Sequence, residues 1–268
     1  MAKKKQAKVE TSAPIFQQNP VAQRIEELGK NLEGKGNLIL YVLGGILGLA
    51  ILGAIIYSWQ SRQAGEAQAA LGKAIETSEA QVSASPVPNS PAPVFATDKE
   101  RTEKSIAAFE NVANKYGSPY KEKAQYFIAV NKLKVNREAG LQELEGLSNN
   151  GNREVAGLSK FALAEAHSAD GKYDEAAALY NDLAKQQNNV ISADTLNYAL
   201  ASVYERQGKK QEAADIYFNL AKAAREAKDA DGKPATMTMT AREAARKLEK
   251  LDASKFAQLP PESTAANL

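Results

Sequence analysis

The sequence predicts an all-α chain, in which one N-terminal transmembrane helix is followed by an α-solenoid of repeated helical hairpins. Residues 38–57 form an uncharged apolar stretch, and residues 98–252 show helical periodicity with a segment that recurs after 37 residues. No run of alternating apolar and polar residues indicates a strand. We therefore expect a membrane anchor and a separate helical-repeat domain.

The stretch 38–57 is long enough to cross a bilayer. It reads LILYVLGGILGLAILGAIIY, and a helix of this length extends about 30 Å, the thickness of the hydrocarbon core. A buried helix of a globular protein is usually shorter and keeps a polar stripe. The run also exceeds the apolar region of a signal peptide, so we expect an uncleaved anchor. Gly44 and Gly48 form a G-x-x-x-G pair, which indicates either contact with another membrane helix or background glycine.

Residues 1–37 form a basic tail that predicts the orientation of the span. Before Asn37 the sequence holds seven basic and four acidic residues, whereas the remainder is near neutral. Because basic flanks stay in the cytoplasm, we expect the tail inside and everything after Tyr57 outside. From residue 19, apolar residues recur at helical spacing, and they predict either a short amphipathic helix at the lipid surface or an unfolded tail.

Residues 58–97 read as a helical extension followed by a Pro-rich linker, with four prolines between residues 83 and 97. Residues 98–252 then form the helical domain, whose last helix begins at Thr240, and residues 253–268 are predicted to be a disordered tail. Three helix start signals are Thr97-x-x-Glu100, Ser118-Pro119 and Thr240-x-x-Glu243.

The helical domain contains an internal repeat. FALAEAHSADGKYDEAAALYNDLAK (161–185) aligns with YALASVYERQGKKQEAADIYFNLAK (198–222) at a constant offset of 37. Small residues recur where paired helices approach most closely, and large residues recur in the gaps between them. A fainter copy runs from Tyr126 to Leu147, and residues 105–112 look like a lone second helix. The matched pairs include Leu163 with Leu200, Ala164 with Ala201, Gly171 with Gly208, Ala176 with Ala213 and Tyr180 with Tyr217.

These motifs resemble the tetratricopeptide repeat, a helix–turn–helix with L-G/A-x-x-Y, a turn Gly and A-x-x-x-F/Y. The chain departs from that pattern in its repeat offsets of 35 to 37, its missing Pro and its missing Trp. The positions of the consensus Trp hold Gln125, Lys160 and Asn197. The resemblance implies stacked hairpins whose first helices line a groove.

In that register, seven residues of the first helices are candidates for a partner-binding groove. The three equivalent aromatics either hold an extended polypeptide or pack in the core, and the residues of a carboxylate-binding clamp are missing. The candidate groove residues are Tyr126, Val130, Phe161, Glu165, Tyr198, Ser202 and Arg206.

Composition argues against catalysis, metal binding and nucleic-acid binding. The chain has one His, no Cys and a net charge of +2, which removes Cys–His catalysis and the usual zinc sites. His167 occupies the packing position of the repeat Tyr, and no glycine-rich phosphate loop occurs outside the span. The near-neutral domain lacks a basic patch for nucleic acid. We therefore expect a non-enzyme without cofactors.

In layout, the chain resembles the ancillary subunit of the bacterial Sec translocon, a family of single-pass inner-membrane proteins with periplasmic tetratricopeptide-like domains. The resemblance covers a basic cytoplasmic tail, one span, a linker and a repeat domain outside. It implies association with the translocon channel, with a membrane-anchored periplasmic chaperone of the prolyl-isomerase type and with exported polypeptides. The same layout would serve a scaffold of a pilus, division or secretion complex, and a carboxylate-only enzyme is a third alternative.

Overall fold

The computed structural model describes residues 36–85, 93–186 and 190–262, and for residues 36–49, 55–57, 59 and 60 it describes the backbone alone. The chain divides after Ala64 into two compact units. The described part of the first unit is helical and belongs to α1, Gly36–Glu79. No helix in the described part of the chain is long and apolar enough to cross a membrane.

The predicted span 38–57 lies within α1. Most of its side chains fall outside the described residues, and so do the surroundings of Gly44 and Gly48. The amphipathic helix predicted within residues 1–37 also falls outside them. The described apolar side chains Ile51 and Leu52 are 52% and 57% exposed.

The second unit consists of helices that follow one another with short connections. The elements after α1 are β1 (Gln81–Val82), β2 (Val94–Phe95), α2 (Asp98–Lys115), α3 (Tyr120–Val135), α4 (Arg137–Leu147), α5 (Arg153–Ala169), α6 (Tyr173–Lys185), α7 (Ala193–Arg206), α8 (Lys210–Glu226), α9 (Met239–Leu251) and α10 (Ala253–Phe256).

Side-chain caps fix where several helices begin, because each satisfies a backbone N–H that lacks a partner within the helix. The Thr97 hydroxyl accepts from the Glu100 N–H over 3.1 Å, as the capping box predicts. The other two predicted starts differ from the structure. α3 begins without a side-chain cap, and Thr238, two residues before Thr240, caps α9 by accepting from the Ala241 N–H.

The two aligned repeats form equivalent hairpins, α5 with α6 and α7 with α8. The turns contain Gly171 and Gly208, whose φ angles are +75° and +78°. Both lie in the left-handed region, which favours glycine because a Cβ would crowd the backbone there. Four alanines at matched positions are completely buried between the helices: Ala164, Ala176, Ala201 and Ala213. These contacts confirm the predicted helical-repeat fold.

The helical unit begins earlier than the sequence predicts. Leu71 and Ala74, in the last turns of α1, share a buried cluster with Phe109 and Val112 of α2. The helix predicted to stand alone at residues 105–112 lies within α2 and packs against the end of α1. The sequence analysis places that end of α1 in the helical extension and linker, residues 58–97. α3 and α4 form the hairpin of the fainter copy, and Gly140 lies at their closest approach.

Two further segments differ from the sequence prediction. β1 and β2 form a parallel pair of two residues each, where the sequence predicts only an extended linker. Residues 253–262 are ordered rather than disordered, since they include α10 and bury Leu259 in the last core cluster. The Arg225 guanidinium fixes this segment by donating to the Pro260 carbonyl over 2.6 Å and lying 5.6 Å from the Phe256 ring centroid.

Candidate functional site

The predicted groove residues lie on the first helices of three successive hairpins. Tyr126 and Val130 belong to α3, Phe161 and Glu165 to α5, and the remaining three to α7. Glu165 and Arg206 are exposed, and the others are half-buried. All seven side chains are therefore accessible to solvent, as a binding surface requires.

Aromatic side chains pair within each hairpin in the same way. The Phe161 and Tyr180 ring centroids are 5.6 Å apart with planes at 63°, and those of Tyr198 and Tyr217 are 5.6 Å apart at 54°. Tyr180 and Tyr217 are the buried members, at 3% and 0% exposure. The half-buried rings of the first helices thus pack on the core with one side and reach solvent with another.

Tyr126 occupies the equivalent position on α3 but lacks a matching inner tyrosine. It packs against the cluster that contains Leu144 and Leu163, and its ring meets Phe127 edge-on at 5.3 Å. Burial, and then the charge of Glu165, raise the pKa of Tyr126. The two side chains therefore lie near one another across the junction between α3 and α5.

Glu165 lies on α5, one helical turn after Phe161. Burial raises the pKa of its carboxyl, although the side chain still reaches solvent. Its charge in turn raises the pKa of Tyr180, after the larger effect of burial. The Glu165 carboxylate has no hydrogen-bond or ion-pair partner among the residues that the structure describes.

Arg206 reaches from α7 toward α5. One guanidinium nitrogen donates to the Ser168 hydroxyl over 3.3 Å, and the positive charge lowers the pKa of Tyr180, in opposition to burial. Among the described residues, no carboxylate pairs with Arg206. It also lines an open cleft of about 560 Å³ with Asp174 and Lys209, at the turns of the two matched hairpins.

α9 adds charged residues that the sequence prediction missed. The Tyr217 hydroxyl donates to Glu205 Oε2 over 3.2 Å, and Lys247 donates to the same oxygen over 3.1 Å. Burial, and then the Glu243 carboxylate, raise the pKa of Tyr198. The sequence analysis identifies α9 only as the last helix of the domain. Its amphipathic spacing was the signal that could have placed it beside α7.

The candidate metal ligands of the described residues are scattered, and His167 lies apart from any such group. His167 lies on α5, and its buried Nδ1 has no hydrogen-bond partner among them. No group of three or more His, Asp or Glu within the described ranges is arranged to hold a metal ion. A second cleft, of about 400 Å³, lies between α2, α3 and α4, with the Lys132–Glu143 ion pair in its wall.

The tetratricopeptide repeat family matches residues 161–189 and 195–231. The matched stretches contain the second half of α5, all of α6, α7 from its third residue onward, and all of α8. No curated protein and no solved structure matches the chain. The match and the repeated hairpins together give an all-α, tetratricopeptide-like helical-repeat fold. Such repeats are protein–protein interaction modules.

Proposed function

We propose that the candidate groove binds an extended polypeptide and that the chain is a membrane-anchored, non-enzymatic subunit that presents this groove beside the Sec translocon. The observation that carries the proposal is the repeated aromatic geometry. Phe161 and Tyr198 sit at equivalent positions, each braced by a buried tyrosine and each partly exposed. Rigid aromatic surfaces in a row suit alternate side chains of an extended chain.

A membrane anchor at residues 38–57 is the second part of the proposal. The uncharged sequence and the exposed Ile51 and Leu52 support it, because apolar side chains on a helix surface are stabilised by lipid. The basic residues before Asn37 support a cytoplasmic amino end and a periplasmic repeat unit. Gly44 and Gly48 would then face a helix of the channel.

The third part concerns the partners. The layout of tail, span, linker and repeats supports association with the translocon channel and a membrane-anchored chaperone of the prolyl-isomerase type. Exported polypeptides leave the channel unfolded, with apolar side chains exposed. A groove of half-buried aromatics near the exit would bind such segments before they fold.

Photo-crosslinking in living bacteria tests this proposal. A photoreactive residue is placed separately at Tyr198, near Gly48 and at Glu212, an exposed position on α8 that serves as the control. We expect channel subunits from the span probe, exported chains or the chaperone from Tyr198, and neither from Glu212. Crosslinks confined to another envelope assembly would contradict the translocon role. A silent Tyr198 probe would contradict polypeptide binding in the groove.

A further inference from the structure

A third cleft, of about 390 Å³, lies between the last turns of α1 and the second half of α2. Its floor is apolar, since Ala74 and Val112 are each 2% exposed and two further alanines line it. Its rim is polar and carries the exposed side chains of Lys73, Asn111 and Lys115. An apolar floor with a cationic rim suits a ligand that combines an apolar surface with negative charge.

The two lysines of this cleft are not paired with acids of the described part of the chain. Neither Lys73 nor Lys115 forms an ion pair with a described carboxylate, and no described Asp or Glu lines the cleft. The Lys115 ammonium lies 5.0 Å from the centroid of the Tyr116 ring, which also lines the cleft. Tyr116 and, more weakly, the charge of Glu66 raise the pKa of Lys115, so its amine is charged at neutral pH.

Two other clefts of the helical unit differ in this respect. Glu143 pairs with Lys132 over 2.5 Å in the wall of the cleft between α2, α3 and α4. Asp174 lies 3.9 Å from Lys209 in the cleft at the hairpin turns. Each of those clefts supplies its own carboxylates, whereas the described lining of the cleft between α1 and α2 supplies none.

The walls of the cleft are held in place by contacts elsewhere on α1 and α2. Phe109 packs in a buried cluster with Ala124 and Ile128 of α3. The Arg101 guanidinium near the start of α2 donates to the Ala80 carbonyl, just after α1, over 3.1 Å. The lining of the cleft comes from α1, α2 and the residue that follows α2, so α3 covers one side of this helix pair and leaves another side open. The open side is therefore preformed for a further helix.

We infer that the cleft between α1 and α2 binds an amphipathic helix of a partner protein, with Asp or Glu residues beside the apolar face of that helix. The carboxylates would pair with the ammonium groups of Lys73 and Lys115 and accept from the Asn111 amide. The apolar face would cover Ala74 and Val112, and the small alanine side chain allows close approach of the helix. This surface goes beyond the proposed function, because the candidate groove lies on α3, α5 and α7 and is proposed to bind extended polypeptide.

Helical peptides and the full-length protein in lipid nanodiscs test the inference. The discs contain phosphatidylcholine, a lipid without net charge. The probes are three fluorescent peptides of about 18 residues, stapled so that they stay helical over about 27 Å. They share one face of Ala and Leu and differ only at two positions beside it, which hold Glu, Gln or Lys. We expect the wild-type protein to bind the Glu peptide about tenfold more tightly than the Gln peptide.

Charge reversal tests the two lysines directly. Lys73→Glu combined with Lys115→Glu should prefer the Lys peptide to the Glu peptide. Lys185→Glu combined with Lys210→Glu is the matched control, because all four lysines are exposed and the change in net charge is equal. Lys185 also lies in the last turn of α6, as Lys115 lies in that of α2, so both variants lose a cation at a helix C-terminus. The control should keep the preference for the Glu peptide, and a photoreactive residue at Asn111 should crosslink to that peptide.

Three results would overturn the inference: equal binding of the Glu and Gln peptides by the wild-type protein, no binding of either, or a preference that survives reversal of Lys73 and Lys115. In discs that also contain phosphatidylglycerol, crosslinks from Asn111 to this lipid in place of the Glu peptide would overturn it in favour of a lipid ligand. The groove proposal is unaffected by these outcomes because it is tested at Tyr198.

Discussion

The Tyr198 ring lies 5.6 Å from the Tyr217 ring, centroid to centroid, with the planes tilted by 54°. Phe161 and Tyr180 have the same separation 37 residues earlier. The inner ring of each pair is buried, and the outer ring is half-buried. The sequence leaves open whether these outer aromatics are core or groove residues. The structure gives them packing contacts and solvent exposure together, so their packing preorganises the surface that we propose to bind polypeptide.

The hydroxyl groups of the two inner tyrosines give the first prediction. Tyr217 donates to Glu205 over 3.2 Å, whereas the Tyr180 hydroxyl makes no hydrogen bond with the described residues. We expect Tyr217→Phe to lower the free energy of unfolding by about 1 kcal/mol. Tyr180→Phe, the matched control, should change it by less than about 0.5 kcal/mol. Chemical denaturation with circular dichroism measures both, and equal losses would contradict the assigned hydrogen bond.

Gly140 gives the second prediction, because it lies where α4 crosses α3 most closely. A Cβ at this position would lie 2.6 Å from the Leu133 backbone nitrogen and 2.9 Å from the Ala129 carbonyl oxygen. Backbone atoms cannot rotate away, so we expect Gly140→Ala to destabilise the protein by about 1–3 kcal/mol. The control is Gly146→Ala on the same helix, where the added methyl group meets open space.

Gly146→Ala should be neutral or stabilise the protein by up to about 1 kcal/mol, as expected for alanine replacing glycine in a helix. Thermal unfolding of the two variants separates steric crowding from helix propensity. A stable Gly140→Ala protein would mean that α3 and α4 have more room than the structure shows.

The sequence predicts the matched hairpins well because their contacts recur at a fixed spacing. The buried alanines and the turn glycines at 171 and 208 stand out as a repeated pattern in the amino-acid sequence itself. The contact of Leu71 with Phe109 does not stand out in the sequence. α1 carries no repeat motif at Leu71, and α2, which holds Phe109, follows a Pro-rich segment. The seven groove residues can be predicted from the repeat register. The pairing of Glu205 with Lys247 cannot, because it depends on where α9 packs.

The segment after α9 is the clearest case of tertiary contacts overriding composition. Its prolines and small residues predict disorder, but Leu259 is 8% exposed and packs in the last core cluster. We expect Leu259→Ala to lower the free energy of unfolding by about 2–3 kcal/mol. Gln258→Ala, a change at the exposed neighbour, should have little effect. If both variants unfold like the wild-type protein, this segment contributes nothing to stability.

The small residues within α1 give a prediction about the proposed membrane contact. Gly44→Leu combined with Gly48→Leu should weaken association with the channel and leave membrane insertion intact, because the added side chains prevent close approach of another helix. Gly53→Leu is the control, since Gly53 lies on α1 outside the G-x-x-x-G pair. Co-purification from gently solubilised membranes measures association. Equal recovery of channel subunits with all variants would contradict the contact.

The raised pKa of Glu165 predicts an uncommon pH dependence of stability. Burial raises it above the ordinary 4.5, so the folded protein holds this proton more tightly than the unfolded chain does. The folded state therefore carries its full penalty once pH rises above the raised pKa, and this penalty disappears only as pH falls below about 4.5. Tyr126 and Tyr180 stay neutral over this range because burial raises the pKa of each above its ordinary value, so neither titrates together with Glu165.

Glu165→Gln should therefore be more stable than the wild-type protein at pH 7, with a difference that shrinks to zero below about pH 4.5. Glu212→Gln, which removes a carboxylate from the surface of α8, is the matched control. Denaturation midpoints measured across this pH range provide the test. A destabilised Glu165→Gln protein at pH 7 would mean that the carboxylate stabilises the fold. Greater stability of Glu165→Gln at pH 7 would instead mean that burial of the charged carboxylate weakens the fold.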